Sequence, residues 1–194
     1  EEGTTKISLF RGDPDRKLNL TFSPFNWMEG GFYYSDITGK SYGRFKQSYK
    51  DKGFNIKFRL KEQGTYPALA IGFNDFAGTG YYGSEYLVSS YKFGKMDFSL
   101  GLGWGNLAGS ATISNPLKEL NNRFFERDSD LGQGGNFNIE NYFAGPNVGV
   151  FGGIDYEYNS NLTLKLEYDS TELPGRVGYE VADLKVNLGL DYAV

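Results

Sequence analysis

Two pairs of carboxylates stand at alternate positions toward the C-terminal end of the chain: Asp155 with Glu157, and Glu167 with Asp169. On adjacent strands facing one side, such pairs are the equipment of glycoside hydrolysis, one carboxyl acting as acid and the other as base or nucleophile. Lys165 shares this spacing, and Lys57, Arg59 and Lys61 alternate in the same way on an earlier segment. Charges that share an enclosed face must neutralise one another, because an unpaired buried charge is costly. The carboxylates are therefore read as ion-pair partners, and no residue is given a catalytic role.

The residue types that are missing narrow the chemistry further. The sequence has 0 His and 0 Cys, which removes Ser-His-Asp triads, histidine acid/base work, thiolate nucleophiles and His or Cys metal sites together. Asp128-x-Asp130-x-Gly132 has the look of a calcium turn, but a complete loop needs more oxygen ligands and a distal Glu. It is read as an acidic solvated loop, and neither a metal nor a cofactor is expected. Gly101, Gly103 and Gly105 alternate, as do Gly149 and Gly153. A phosphate loop would place its glycines in a turn before a helix. Small residues on the inner side of strands instead make room for a bulky loop or plug, or leave a passage.

The elements that carry these residues are strands. From Lys50 to Glu62, KDKGFNIKFRLKE puts Phe54, Ile56, Phe58 and Leu60 on one side and Asn55, Lys57, Arg59 and Lys61 on the other. The same alternation gives about ten strands, or as many as twelve, near 4–11, 16–24, 27–37, 50–62, 67–75, 83–93, 95–107, 147–158, 161–170 and 183–194. Among the clearest are Leu162, Leu164, Leu166 and Tyr168 against Thr163, Lys165, Glu167 and Asp169, and the run from Leu184 to Val194. The polar sides collect Lys57, Arg59, Lys61, Asp97, Asp155, Glu157, Lys165, Glu167 and Lys185, which are expected to face a common lumen.

Connection lengths alternate as well. SPFNW, EQGTYP, KFGK and YNSN are tight, whereas TGKSYGRFKQSY, NDFAGTGYYG, residues 110–146 and TELPGRVGYEVA are long. Short turns at one end, long loops at the other and strands of about 9–11 residues describe an outer-membrane barrel. In water, a sheet that is apolar on one face needs a covering layer, and no helical segment or second set of strands is evident to supply one. A bilayer can cover the face if the sheet closes and leaves no edge unpaired. The expected fold is all-β, a transmembrane antiparallel up-and-down β-barrel forming a single domain over 1–194. Phe25, Trp27, Tyr66 and Phe93 beside the turns, and Tyr33, Tyr34, Tyr81, Tyr82 and Trp104 toward the loops, suit two interfacial girdles.

The long loop over 110–146 exceeds a passive connection and is expected to be ordered or functional. Within it Asn115 suits an N-cap and Pro116 a first helical position. Phe124, Phe125, Tyr142 and Phe143 are available either to stack on sugar rings or to fold inward as a plug. A net charge of −4 argues against a nucleic-acid partner, and no apolar run approaches the roughly 18 residues of a membrane helix. EEGTTK has neither a basic nor an apolar leader region, so any signal peptide is expected to be removed or to belong to a longer parent chain.

Several stretches resemble the first barrel of the YjbH-type family of exopolysaccharide and capsule biosynthesis proteins. They are SYKDKGFNIKFRLKEQGTYPALAIGFNDFAGTGYYGSEYLVSSYKFGKMDFSLGLGWG, GQGGNF from Gly132 to Phe137, VFGGIDYEY and LKLEYD. Asn187-x-Gly189-x-x-Tyr192-x-Val194 is similar to the final-strand signal read by the barrel assembly machinery, with Val in place of the usual aromatic. The resemblance implies location in a Gram-negative outer membrane and a part in polysaccharide secretion. Since family members are generally longer, it also implies that this chain is a fragment or a compact relative. Catalytic outer-membrane barrels resemble one another in relying on a histidine, so an enzyme is not expected.

The leading expectation is a barrel that serves exopolysaccharide or capsule export as scaffold or conduit. Its partners would be outer-membrane lipid, the assembly machinery, polysaccharide and other export proteins. A general monomeric channel, or part of a larger pore for ions or small solutes, is the alternative. A soluble lipocalin-like barrel with its apolar face inward is a third reading.

Overall fold

The computed structural model describes residues 2–12, 15–44, 46–128, 134–135, 137–171 and 185–193. Eleven strands follow one another: β1 (Thr4–Arg11), β2 (Asp15–Phe25), β3 (Met28–Ser41), β4 (Ser48–Lys61), β5 (Ala68–Phe76), β6 (Ser84–Phe93), β7 (Met96–Gly103), β8 (Thr112–Ser114), β9 (Asn147–Glu157), β10 (Leu162–Tyr168) and β11 (Val186–Tyr192). They form one antiparallel sheet in the order β1-β2-β3-β4-β5-β6-β7-β9-β10-β11, with β8 paired to β9 off this path. The long strands lie where the alternation places them. The short β8 lies within the long loop, whose described residues also form the 3-10 turns Pro116–Glu119, Asn122–Phe124 and Ile139–Asn141.

Each strand pairs with its neighbour in the chain except across the long loop, so the sheet is a meander with β1 and β11 as its edges. Among the described residues no backbone ladder joins those edges. The sheet nonetheless curls strongly, since Lys17 on β2 and Thr171 just after β10 line the same cavity. No helix among the described residues is long and apolar enough to cross a membrane.

The two faces follow from the period of 2. On β3 and β4 the cross-strand pairs Tyr33↔Gly53 and Ser35↔Asp51 lie on the polar, concave side, and Tyr33, Ser35 and Asp51 are buried there. Phe54 and Leu60, one residue out of phase, are exposed on the other side. Leu9, Leu100, Leu164, Leu166 and Leu188 share that uncovered apolar side.

The buried core is an aromatic cluster of Tyr33, Ile37, Tyr81 and Tyr82, with Tyr49 against it. It sits on the concave side, toward the end that carries the long loops.

The alternating glycines have a packing explanation. A Cβ on Gly101 would lie 2.2 Å from the Phe151 ring, and one on Gly72 would lie 2.2 Å from the Tyr86 ring. Those two rings meet edge to face, with centroids 6.2 Å apart. The inner glycines thus make room for aromatic side chains of neighbouring strands. The strand expected over 95–107 ends at Gly103, because Gly105 takes a φ of 64° and opens a 3-10 turn, Gly105–Ala108. Leu107 of that turn packs onto Gly103 and brings its carbonyl against Gly149.

Candidate functional site

Three carboxylates are buried toward the long-loop end of the polar face: Asp15 on β2, Asp51 on β4 and Asp75 on β5. Removing a carboxylate from water demands hydrogen-bond donors, and tyrosines and a threonine supply them. Tyr33 Oη donates to Asp51 Oδ2 at 2.9 Å, and Thr79 Oγ1 donates to Asp51 Oδ1 at 2.9 Å. Tyr82 Oη donates to Asp15 Oδ2 at 2.9 Å, and its backbone N–H donates to Asp75 Oδ2. Lys17 closes an ion pair on Asp15 at 3.3 Å with its ammonium 3.9 Å from the Tyr82 ring centroid, and Lys40 sits over both Tyr81 and Tyr49. In the loop between β5 and β6, burial raises the Tyr81 and Tyr82 hydroxyls above the ordinary tyrosine pKa, and the Asp15 carboxylate adds to it.

Beside this cluster the polar face holds a cavity of about 180 Å3. Four asparagines, Asn19, Asn55, Asn74 and Asn106, reach it from β2, β4, β5 and the 3-10 turn after β7, together with Ser84 and Thr171. Its wall mixes these carboxamides and hydroxyls with the apolar surface of Tyr33, Tyr82, Leu107 and the Lys17 stem.

The long loop takes a different course. Phe73, Glu85 and Trp104 carry the parity of the apolar face on β5, on β6 and just beyond β7, and the loop lies over them. Phe143 packs edge to face on both Phe73 and Trp104, while Tyr142 rests on Phe73 and Phe76. Glu85, buried to 1% exposure, accepts two bonds from the Arg127 guanidinium and a third from the backbone N–H of Phe143. Asn115 binds the loop to itself: its side-chain amide donates to the carbonyls of Phe124, Phe143 and Gly145, and its oxygen accepts from Trp104 Nε1 and the Leu117 backbone. The Asn115 cap and Pro116 therefore do open a helical turn, of the 3-10 kind, at Pro116–Glu119. Phe124 lies under Arg123, and Phe125, with Lys118 above it, stays exposed.

The charged residues of the strands fall into smaller groups. Lys165 bridges Asp155 at 3.4 Å and Asp191 at 2.7 Å, and Lys92 pairs with Glu157. Arg59 pairs with Glu62 at 2.7 Å, Lys61 lies over Tyr66, and Lys57 stands opposite Glu29 of β3 and Gly72 of β5. Asp97 is in register with Asp155, and Glu167 with Gly153 and Asn187. Lys185 donates to the Thr171 carbonyl at 3.3 Å, and Asp169 accepts from the Thr171 backbone. Asp130 and Gly132 of the acidic turn, together with Leu184, Val194 and most of the last long connection, lie outside the described residues. Among the described residues no group of three His, Cys, Asp or Glu side chains is placed to hold a metal ion.

Periodicity does not reveal the Glu85–Arg127 pair or the Asn115 hub. One signal was present, however: Glu85 is an acid on the apolar parity of its strand, where it needs a partner from elsewhere in the chain.

A family model described as "Exopolysaccharide biosynthesis protein YbjH" matches residues 1–194. A relative from Escherichia coli (strain K12), "Uncharacterized lipoprotein YjbH", is 36% identical over 175 residues, covering 87% of this chain and 25% of the relative. The chain thus spans about a quarter of the length of that relative. No solved structure matches.

Proposed function

Because the chain belongs to the YjbH family of exopolysaccharide biosynthesis proteins, we propose that it forms an outer-membrane β-barrel serving exopolysaccharide or capsule export as scaffold or conduit. The observation that carries this reading is the uncovered apolar face. Leu188 is 83% exposed, Leu9 81% and Leu100 64%, which in water leaves a large apolar surface without a covering layer. A bilayer accepts that surface when β1 and β11 meet and no edge remains. The curl that brings β2 and the end of β10 to one cavity supports closure. The name lipoprotein carried by the relative supports attachment to an envelope membrane.

The concave side is filled by aromatic and carboxylate side chains near the long-loop end, which favours a scaffold or a narrow conduit over a wide pore. On this reading the chain is not an enzyme. Lipid, the barrel assembly machinery, polysaccharide and other export proteins are its partners, and nucleic acid is not. Detergent-extracted full-length protein should migrate differently on a gel before and after heating, and loss of the gene should reduce secreted polysaccharide. A protein that stays soluble without detergent and shows no such heat-dependent shift refutes the barrel. Conductance in a planar bilayer separates scaffold from open channel.

A further inference from the structure

We infer that the carboxamide-lined cavity on the polar face is a binding site for one neutral hexose residue, an inference that rests on the polysaccharide reading above. Its 180 Å3 corresponds to about six water volumes and lies below the range of pockets that enclose drug-sized ligands. A single pyranose ring suits that space.

The lining is organised for hydroxyl groups. Three of the four carboxamides already donate one N–H: Asn19 Nδ2 to Ser8 Oγ at 3.4 Å, Asn74 Nδ2 to Ser84 Oγ at 2.9 Å, and Asn106 Nδ2 to the Tyr81 carbonyl at 2.8 Å. Asn55 is committed the other way, its Oδ1 accepting from the Asp75 backbone at 3.1 Å. The Tyr81 carbonyl and the Asp75 N–H fix how Asn106 and Asn55 are turned, while the serine hydroxyls, which donate or accept, hold Asn19 and Asn74 in place either way round, so the site is organised before a ligand arrives. Among the described residues each carboxamide keeps hydrogen-bonding capacity to spare, the Asn106 carbonyl and the Asn55 amide N–H groups included. Sugar hydroxyls both donate and accept, and can meet both kinds.

Charge selects within the sugars. Lys17, the cation of the lining, is already held by Asp15 and the Tyr82 ring. A carboxylate or phosphate would find no uncommitted cation among the described residues of the lining and would have the buried Asp15 beside it. The site therefore favours a neutral hexose over a uronic acid.

The test uses the full-length protein in detergent, with glucose, galactose and glucuronate as separate probes followed by saturation-transfer NMR and titration calorimetry. At least one neutral hexose should bind, and glucuronate should bind at least about tenfold more weakly, the effect of about 1.4 kcal/mol. Asn55→Leu combined with Asn106→Leu should weaken hexose binding at least about tenfold while heat-dependent gel migration is retained. Asn106→Ala, on a turn outside the strands, gives a milder variant that should also bind more weakly if the strand substitution disturbs assembly. A wild-type protein that migrates as a barrel and supports secretion but binds no hexose overturns the inference and leaves the export reading intact. Equal binding of glucuronate, or unchanged binding by Asn106→Ala, overturns it too. A wild-type protein that neither migrates as a barrel nor supports secretion takes down both.

Discussion

Arg127 closes a bidentate ion pair on Glu85 from 42 positions further along the chain, its two terminal nitrogens donating to the two carboxylate oxygens at 2.7 and 2.9 Å. The planar fork matches the carboxylate, and Glu85 is buried. Truncating Arg127 would leave a buried charge uncompensated, a loss of about 3–5 kcal/mol for such pairs. Arg127→Ala should therefore free the loop around Tyr142 and Phe143 to proteolysis and shift Trp104 fluorescence to the red. Unchanged protease resistance would show that the aromatic contacts hold the loop without the ion pair.

The face assignment of β4 is tested by two substitutions one residue apart. Phe58 stacks on Trp27 on the apolar side, and Arg59 follows it on the polar side. An outward cation costs about 2–4 kcal/mol at the middle of a bilayer and about 0–1 kcal/mol near its interfaces, so Phe58→Arg, close to the turn end of β4, should impair membrane assembly more than Arg59→Phe. Equal yields of assembled protein from the two variants would count against a lipid-facing apolar side.

Gly101 and Phe151 form a size-matched pair. A Cβ at Gly101 would sit 2.2 Å from the ring, so Gly101→Val should lower the thermal midpoint of the folded form by the equivalent of about 1–3 kcal/mol, the usual range for overpacking. Adding Phe151→Ala should recover part of the loss, because it removes the clashing ring. A neutral Gly101→Val would mean the ring moves aside freely.

Alkaline pH should weaken the aromatic cluster. Burial raises the Tyr82 pKa in the folded protein, so the folded state holds this proton more tightly than the unfolded chain does. Its contribution is complete below the unfolded tyrosine pKa of about 10 and is lost as pH rises toward the folded value. Stability measured above about pH 10 should then fall less steeply with pH in Tyr82→Phe than in wild type. Parallel slopes would show that Tyr82 is not the group responsible.

The strands were legible because apolar side chains alternate with polar ones along β4 and β10, and the two faces of the sheet follow that period. The turn at Pro116 was legible for a local reason as well, since Asn115 caps a backbone N–H only two residues away. What the sequence hid was distance. Nothing near Asn115 marks the carbonyls of Phe143 and Gly145 as its partners, and nothing near Asn55 marks Asn106 as a neighbour across the cavity. The course of the long loop over the apolar side at Phe73 and Trp104 was hidden too, because its aromatic residues suit a plug, a sugar platform or a packed flap equally well.

The neighbour-to-neighbour order of the sheet also sets a timetable. A wall in which nearly every strand pairs with the one before it can grow a hairpin at a time from short-range contacts, the faster kind of assembly. The detour between β7 and β9 adds little, since each doubling of a loop costs only about 0.6 kcal/mol. On the proposed barrel reading what remains is the meeting of the first and last strands, and until it happens each bare edge is a template for a foreign strand. Hydrogen-exchange protection should accordingly reach β3 and β4 before β1 and β11, and that interval is when a chaperone has the most to guard.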